Sequence, residues 1–158
     1  MKNWLFFLVI LFLGVLELTV LGYFKIFNIK PDFLLISAVL ASLLLKPQPA
    51  IALSLSAGLI KDCFSSNLFG INTVLFVLWS FLILKLNRKI SLENNFLRLG
   101  LVFVVALLHN TASGIILLYL GRAIPAGIFL RMVLIGSLYT TLVSPLVFGI
   151  IKRVILRN

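Results

Sequence analysis

The chain has 158 residues, of which 62% are hydrophobic and 11% are charged, and its formal net charge is +10. A soluble domain of this length needs many more polar residues to cover its surface, so the composition excludes that class. The basic residues lie singly or in small groups between long apolar runs, which is typical of a polytopic membrane protein and not of a nucleic-acid-binding face.

Six apolar runs follow one another along the chain, separated by charged residues, prolines and glycines. They cover residues 4–24, 31–45, 49–66, 70–87, 97–120 and 128–151. The first run has the basic-then-apolar order of a signal peptide, but it lacks a small-residue cleavage site and continues past Glu17, so we expect a retained span. The sequence therefore predicts an all-α helical bundle of about six transmembrane helices, which forms one integral membrane domain over residues 1–158.

The second and third spans are short. A helix of about 15 residues rises only about 22 Å, whereas the hydrocarbon core of a bilayer is about 30 Å thick. The two spans are therefore either tilted crossings or a re-entrant hairpin around Lys46, and the sequence leaves both alternatives open. Pro31 and Pro49 each lie where a helix can begin, because a proline in the first turn removes no internal hydrogen bond.

The distribution of basic residues among the loops predicts the orientation of the bundle. With six crossings, nine of the fourteen lysines and arginines fall on the same side as the two termini. Cytoplasmic loops carry the excess of basic residues in membrane proteins, so both termini are predicted to be cytoplasmic. The nine residues are Lys2, Lys46, Lys85, Arg88, Lys89, Arg98, Lys152, Arg153 and Arg157.

Small residues recur at every fourth position of the third span, at Ala50, Ser54 and Gly58, and Asp62 continues the series. This spacing lets two helix backbones approach closely in lipid, where the burial of apolar surface between helices gains little. We expect the stripe to pack inside the bundle, and docking onto a helix of a partner is the alternative. The other pairs and stripes of small residues are Ser37 with Ala41, Ala38 with Ser42, Gly136 with Thr140 and Ser144, and Ser137 with Thr141, Pro145 and Gly149.

Glu17 is the acidic residue that lies deep inside a long apolar span. An unpaired charge at such a depth costs at least about 2.5 kcal/mol on insertion scales, so Glu17 is expected to face protein and not lipid. It lies about 20 Å along the first span, and His109, Asn110 and Ser113 lie about 15–21 Å along the fifth. We therefore expect Glu17 to share a hydrogen bond with Asn110 or His109, and a proton or ligand site is the alternative.

The sequence gives little support for an enzyme or for a cofactor. His109 and Ser113 lie one turn apart in "HNTASG", but both are on one helix and Thr111 replaces the glycine expected in a serine intramembrane protease. Asp62 has no second aspartate in a suitable motif, and no Gly-rich phosphate loop is present. A single Cys63 and a single histidine exclude an internal disulfide and a clustered metal site. We expect no catalytic residue, no cofactor and no metal.

Two stretches, "KPDFLLI" at residues 30–36 and "GLIKDCFSSNLFG" at residues 58–70, resemble the rod-shape-determining MreD family. Glu17 lies where that family often has an acid or an amide, and "SPLVFGIIKR" at residues 144–153 precedes a basic tail, as in the family. Lys61 departs from the pattern, because a neutral residue is common there. The matching positions are Pro31, Asp32, Gly58, Leu59, Asp62, Leu68, Gly70, Pro145 and Phe148.

The resemblance implies a non-enzymatic, multi-pass scaffold subunit in the bacterial cytoplasmic (inner) membrane. Such a subunit belongs to the cell-elongation machinery, which determines rod shape and organises lateral peptidoglycan synthesis. Its implied partners are the bitopic protein MreC and, through MreC, the actin-like MreB, the glycosyltransferase RodA and a transpeptidase. The lipid bilayer and a second copy of the chain are further expected partners, and nucleic acid is not.

The alternative function is that of the substrate-binding membrane subunit of an energy-coupling-factor transporter, whose helical bundle is similar in span number and size. The first helix of that family usually carries small-xxx-small motifs for coupling. The first span here has Gly14 but no such pair, and the predicted external loops are short for a lid over a vitamin. The sequence therefore favours the scaffold.

Asp62 and Lys61 lie side by side at the end of the third span. We expect Asp62 to accept hydrogen bonds from backbone N–H groups of the turn "SSNLFG", because an unsatisfied carboxylate is costly there. Lys61 is rotated about 100° away on the helix and is expected to extend to the outer membrane interface. Gly70 is expected to permit the backbone geometry that opens the fourth span.

Overall fold

The structure, a computed structural model, describes residues 2–19, 23, 29–65, 68–87 and 94–156. Six α-helices account for most of these residues; their order agrees with the six predicted runs, and their bounds lie within about five residues of them. They are α1 (Lys2–Thr19), α2 (Phe33–Leu44), α3 (Pro47–Phe64), α4 (Ile71–Asn87), α5 (Asn95–Tyr119) and α6 (Ala126–Leu156). The end of the first predicted span and the basic loop that contains Arg88 and Lys89 lie outside the described residues.

Two of these helices are long and apolar enough to cross a bilayer by length and composition. They are α5 and the segment Ala126–Arg153 of α6. The shorter apolar helices include α2 and α4, of 12 and 17 residues. The all-helical fold is thus confirmed over the described residues, whereas the count of six membrane crossings stays a prediction.

Helix α2 lies at the centre of the bundle and packs against each of the other five helices. Every residue from 34 to 42 is buried. The two serines in this segment do not oppose burial, because Ser37 donates to the carbonyl of Leu34 at 2.8 Å and Ser42 donates to that of Ala38 at 2.8 Å. A short, buried helix whose two serines bond to its own backbone is therefore the core around which the longer helices pack.

The turn between α2 and α3 lies beside the C-terminal end of α4. Asn87 Nδ2 donates to the carbonyl of Leu43 at 3.2 Å, and the hydroxyls of Ser42 and Ser80 are 2.7 Å apart. Helix α4 has 17 residues and rises about 26 Å. Helix α2 ends at this turn and α3 begins there, and both extend toward the opposite end of α4. The α2–α3 hairpin therefore lies along the length of α4.

The small-residue stripe of α3 packs inside the bundle, as predicted. Ala50, Ser54, Gly58 and Asp62 are all buried, whereas Ala52 on the opposite face is exposed. A Cβ atom added to Gly58 would lie 2.5 Å from the Cα atom of Thr73, which is backbone of α4. The close approach of α3 and α4 therefore requires glycine at this position.

Helix α6 continues through Pro145, which is exposed, without ending. A proline inside a helix leaves the carbonyl four residues earlier without its N–H donor. Here that carbonyl belongs to Thr141, and the hydroxyl of Ser144 donates to it at 2.7 Å. The neighbouring serine thus compensates for the hydrogen bond that proline removes. The stripe of Gly136, Thr140 and Ser144 is buried, and Gly149 of the second stripe is exposed.

Replacing Gly58 by leucine is expected to lower the melting temperature of the protein purified in detergent. The side chain has no room beside the α4 backbone, and overpacking of a helix contact costs about 1–3 kcal/mol. Ala52→Leu is the matched control, because Ala52 lies on the exposed face of the same helix. Equal melting temperatures for the two variants would show that α3 and α4 do not pack as described.

Candidate functional site

Charged and polar side chains gather at one end of the bundle, where α1 and α3 end and α2 and α4 begin. We call this the polar cluster and define it as Glu17, Asp32, Lys61, Asp62 and His109. The three carboxylates and the imidazole are buried, with 2–9% of each residue exposed. Each of these groups therefore needs partners within the protein.

Two of the carboxylates bind the N-terminus of α2. Glu17 Oε2 accepts a hydrogen bond from the backbone N–H of Leu34 at 3.0 Å, and Asp32 Oδ1 accepts one from that of Leu35 at 2.9 Å. The first N–H groups of a helix have no partner within the helix, and they carry partial positive charge. Asp32 is the helix N-cap, so α2 begins at Phe33, and Pro31 precedes the cap and does not lie in the first turn.

Lys61 forms an ion pair with Asp32 Oδ2 and does not extend to the membrane interface as predicted. Its Nζ atom also lies 5.3 Å from the centre of the Phe76 ring, a cation–π distance. The prediction was wrong because it considered only the position of Lys61 on α3. The buried carboxylate of Asp32 attracts the ammonium inward, because a charge interaction strengthens when water is excluded.

Asp62 joins α3 to α4. Its Oδ1 accepts hydrogen bonds from the backbone and side-chain nitrogens of Asn72 at 3.1 and 2.9 Å. Its Oδ2 accepts from the backbone N–H of Thr73 at 2.9 Å and from its hydroxyl at 2.5 Å. Asp62 is thus a satisfied polar anchor, as expected, but these donors lie in the first turn of α4, beyond Gly70, and not in the turn "SSNLFG". Ser66 and Asn67 of that turn lie outside the described residues.

Glu17 is buried, as expected, but its described hydrogen bond is with α2 and not with His109 or Asn110. His109 Nε2 lies 3.9 Å from Asp32 Oδ2, and Asn110 Nδ2 donates to the hydroxyl of Ser137 at 3.3 Å. The prediction matched residues by depth along two helices. Depth fixes the level but not the direction in which a side chain points, so the partner was wrong.

Helix α6 contacts the polar cluster through Thr140. The backbone N–H of Asp32 donates to Thr140 Oγ1 at 3.2 Å, and that hydroxyl donates to the carbonyl of Gly136 at 2.7 Å. A Cβ atom on Gly136 would lie 3.1 Å from Asn110 Nδ2, so glycine permits the contact with α5.

Gly70 has a φ of +104°, which confirms the special backbone geometry predicted before α4.

Ser113, which the sequence places one turn from His109, bonds to the backbone of its own helix. The hydroxyl of Ser113 donates to the carbonyl of Asn110 at 3.2 Å, one turn along the same helix as His109. Within the described ranges, no group of three or more histidine, cysteine, aspartate or glutamate residues could hold a metal ion. The arrangement binds backbone N–H groups and one lysine, which is chemistry that holds helices together.

The sequence reasoning missed the donors that the carboxylates bind. Asn72 and Thr73 open α4, and Thr140 lies on the predicted stripe of α6 but was expected only to pack. A signal was available, because a buried acidic residue in an apolar bundle can be matched to the start of a neighbouring helix as well as to polar side chains.

A comparison of the sequence with protein-family models matches the model described as rod shape-determining protein MreD, over residues 1–154. The chain belongs to the MreD family. Comparisons with curated proteins and with solved structures gave no match. The MreD-family chain is therefore a rod-shape-determining membrane protein, as its resemblance implied, and the apolar helices agree with that class. The transporter alternative receives no support from these comparisons.

Replacing Glu17 by leucine is expected to destabilise this MreD-family chain, whereas glutamine should have little effect. Leucine leaves the buried N–H of Leu34 without an acceptor, which costs about 1–3 kcal/mol, and glutamine keeps an acceptor oxygen. The melting temperature of each purified variant in detergent measures the difference. If the leucine and glutamine variants have the same melting temperature, the hydrogen bond to α2 contributes nothing to stability.

Proposed function

We propose that this chain is a non-enzymatic scaffold subunit of the bacterial cell-elongation complex, which supports rod shape and lateral peptidoglycan synthesis. The observation that carries the proposal is the family match over residues 1–154. The MreD family is a shape-determining structural family and not a known enzyme family. A polar cluster whose groups bind helix ends is consistent with a part that holds a shape and offers surfaces to partners.

The proposed partners are an MreC-like bitopic membrane protein and, through it, MreB, RodA and a transpeptidase. A second copy of the chain is a further candidate. Many large apolar side chains on the outer faces of the helices are exposed, including Phe12, Phe81 and Leu142. In a membrane these faces meet either lipid or the span of a partner, so a single-span protein is chemically suited to bind them.

We further propose that all six helices cross the cytoplasmic membrane with both termini in the cytoplasm. The nine-to-five division of basic residues supports this orientation. The α2–α3 hairpin lies beside α4 from end to end, which supports two short crossings over a re-entrant loop. The polar cluster then faces the outer side of the membrane, together with the turn between α5 and α6.

Reporter fusions test this topology. A reporter that works only in the cytoplasm is expected to be active when it is fused after Asn158 or inserted near Glu93. The same reporter inserted at Arg122, in the turn between α5 and α6, should behave as an external one, because a single helix separates it from either cytoplasmic site. An external C-terminus would overturn the six-crossing arrangement.

Asp62→Leu is expected to impair the proposed scaffold in a rod-shaped host that depends on this protein. It removes both acceptor oxygens and leaves the N–H groups of Asn72 and Thr73 unpaired, so the start of α4 should separate from α3. We expect rounded cells and weaker co-purification with the MreC-like partner, at normal membrane abundance. Asp62→Asn keeps one acceptor and should retain partial function.

Two further variants complete the comparison. Gly58→Leu separates the same helices by steric overlap and should be at least as damaging as Asp62→Leu. Cys63→Leu is the matched control, because Cys63 is adjacent on α3 but exposed. Rod shape and partner recovery that stay intact in Asp62→Leu, at normal abundance, would show that the junction of α3 and α4 is not needed for the complex.

A further inference from the structure

Two cavities lie against the polar cluster, with volumes of about 470 and 280 Å³. The larger is bounded by residues of α1, α3, α5 and α6 together with the segment that precedes α2. Glu17, Lys30, Lys61, Asn110 and Met132 line both cavities, so the two are adjacent. The larger volume falls in the range of about 300–1,000 Å³ that is usual for small-molecule sites.

The rim of the larger cavity is basic. Lys30 and Arg131 line it and are both exposed, on different elements of the chain. Among the described residues, the Lys61–Asp32 ion pair and the 3.9 Å approach of His109 to Asp32 are the contacts between a basic group and a carboxylate, so neither Lys30 nor Arg131 lies within ion-pair distance of one. An ammonium and a guanidinium at one opening are suited to a phosphate group, which Arg can bind through two parallel hydrogen bonds.

The interior of the cavities has the opposite character. The buried carboxylates of Glu17 and Asp32 lie there with the amide of Asn110, and all three can accept hydrogen bonds. Asp32 is paired with Lys61, and the described hydrogen bond of Glu17 involves Oε2 alone. An anion would be repelled from this interior, so a ligand with phosphate at the rim should direct donor groups, such as hydroxyls, inward.

His109 is a buried polar residue at the smaller cavity. The imidazole is 2% exposed and lines the smaller cavity, and its Nδ1 atom has no hydrogen-bond partner among the described residues. Buried polar atoms are nearly always paired with protein, with water or with a ligand. The cavity therefore offers a polar group that the protein itself leaves unsatisfied.

The remaining wall of the larger cavity is apolar and continues onto the outer surface of α6. Ile128 and Met132 line the cavity one turn apart, on either side of Arg131. Ile128 is 56% exposed, and Leu134, which lies three residues after Arg131 on the same face of the helix, is 49% exposed. A ligand with its phosphate at Arg131 can thus keep an apolar part on the lipid-facing side of the same helix.

We propose that this cavity binds a phosphate ester that carries hydroxyl groups, with the phosphate between Lys30 and Arg131 and the hydroxyls directed toward Glu17 and Asn110. Two sources share this chemistry: the glycerophosphate headgroup of an anionic phospholipid, and a soluble glycerophosphate. The apolar wall favours the lipid. This site does not depend on the proposed role in elongation, so either can fail without the other.

Binding to the purified full-length protein in a neutral detergent tests the proposal. The probes are dioctanoyl phosphatidylglycerol, dioctanoyl phosphatidylcholine, which has no headgroup donor, and glycerol 3-phosphate. Native mass spectrometry counts bound molecules, and isothermal titration calorimetry gives the dissociation constants. We expect one saturable site for phosphatidylglycerol and at least about fivefold weaker binding of phosphatidylcholine, because only the former donates to the interior.

Variants that replace one basic residue by glutamine locate the site. Lys30→Gln and Arg131→Gln are each expected to weaken phosphatidylglycerol binding about tenfold, which is the loss of one charge-assisted contact. Arg153→Gln is the matched control, since Arg153 is exposed on the same helix as Arg131 but toward its C-terminus. Unchanged melting temperatures without ligand exclude a folding defect in these exposed variants.

The outcomes separate the two sources and the failure of the idea. Binding of phosphatidylglycerol without glycerol 3-phosphate supports the lipid headgroup, and comparable binding of both supports a soluble ester. No saturable binding of either probe overturns the proposal. So does an equal loss in Arg153→Gln and Arg131→Gln, because binding would then follow net charge. Equal binding of phosphatidylcholine and phosphatidylglycerol would refute the inward hydroxyl contacts.

Discussion

The first N–H groups of a helix must be satisfied, and in an apolar bundle little water is present to do so. This constraint explains the positions of Glu17, Asp32 and Asp62, the acidic residues of the described chain. Glu17 and Asp32 accept from the start of α2, and Asp62 accepts from the start of α4. Because Glu17 lies on α1 and Asp62 on α3, two of the caps also connect separate helices.

The same caps explain how charge is tolerated at this depth. The positive end of each helix dipole faces the carboxylates, and Lys61 supplies the remaining positive charge beside Asp32. Removing one partner from such a cluster destabilises a protein more than replacing the whole cluster by apolar residues, because the remaining buried charge is then unpaired. Helix α2 can consequently be short and almost wholly buried, since its N-terminus is bound by neighbouring side chains and its surface is covered by five helices.

The sequence predicted the helices, their ends and the buried stripe of α3 well. These features follow from local patterns: the length of each apolar run, the charged residues, prolines and glycines that separate the runs, and small residues at every fourth position. It predicted the partners of the polar residues poorly. Lys61 turned inward to Asp32, Glu17 bound Leu34, and Asp62 bound Asn72 and Thr73. Those pairings depend on how helices are rotated against one another, which no pattern within one span determines.

The charged residues in and around the cluster fall into two groups: those that form an ion pair or bind a helix start, and those that do neither in the described part of the chain. Asp32 and Lys61 are paired, and Glu17 and Asp62 are bound to helix starts, so these four groups are needed to keep the bundle closed. Lys30 and Arg131 take no part in any described cap or ion pair, yet they lie at the opening of the cavity that the cluster lines. Two like charges at one opening repel each other. An anion between Lys30 and Arg131 would remove that repulsion, whereas the buried carboxylates of the interior would repel the same anion.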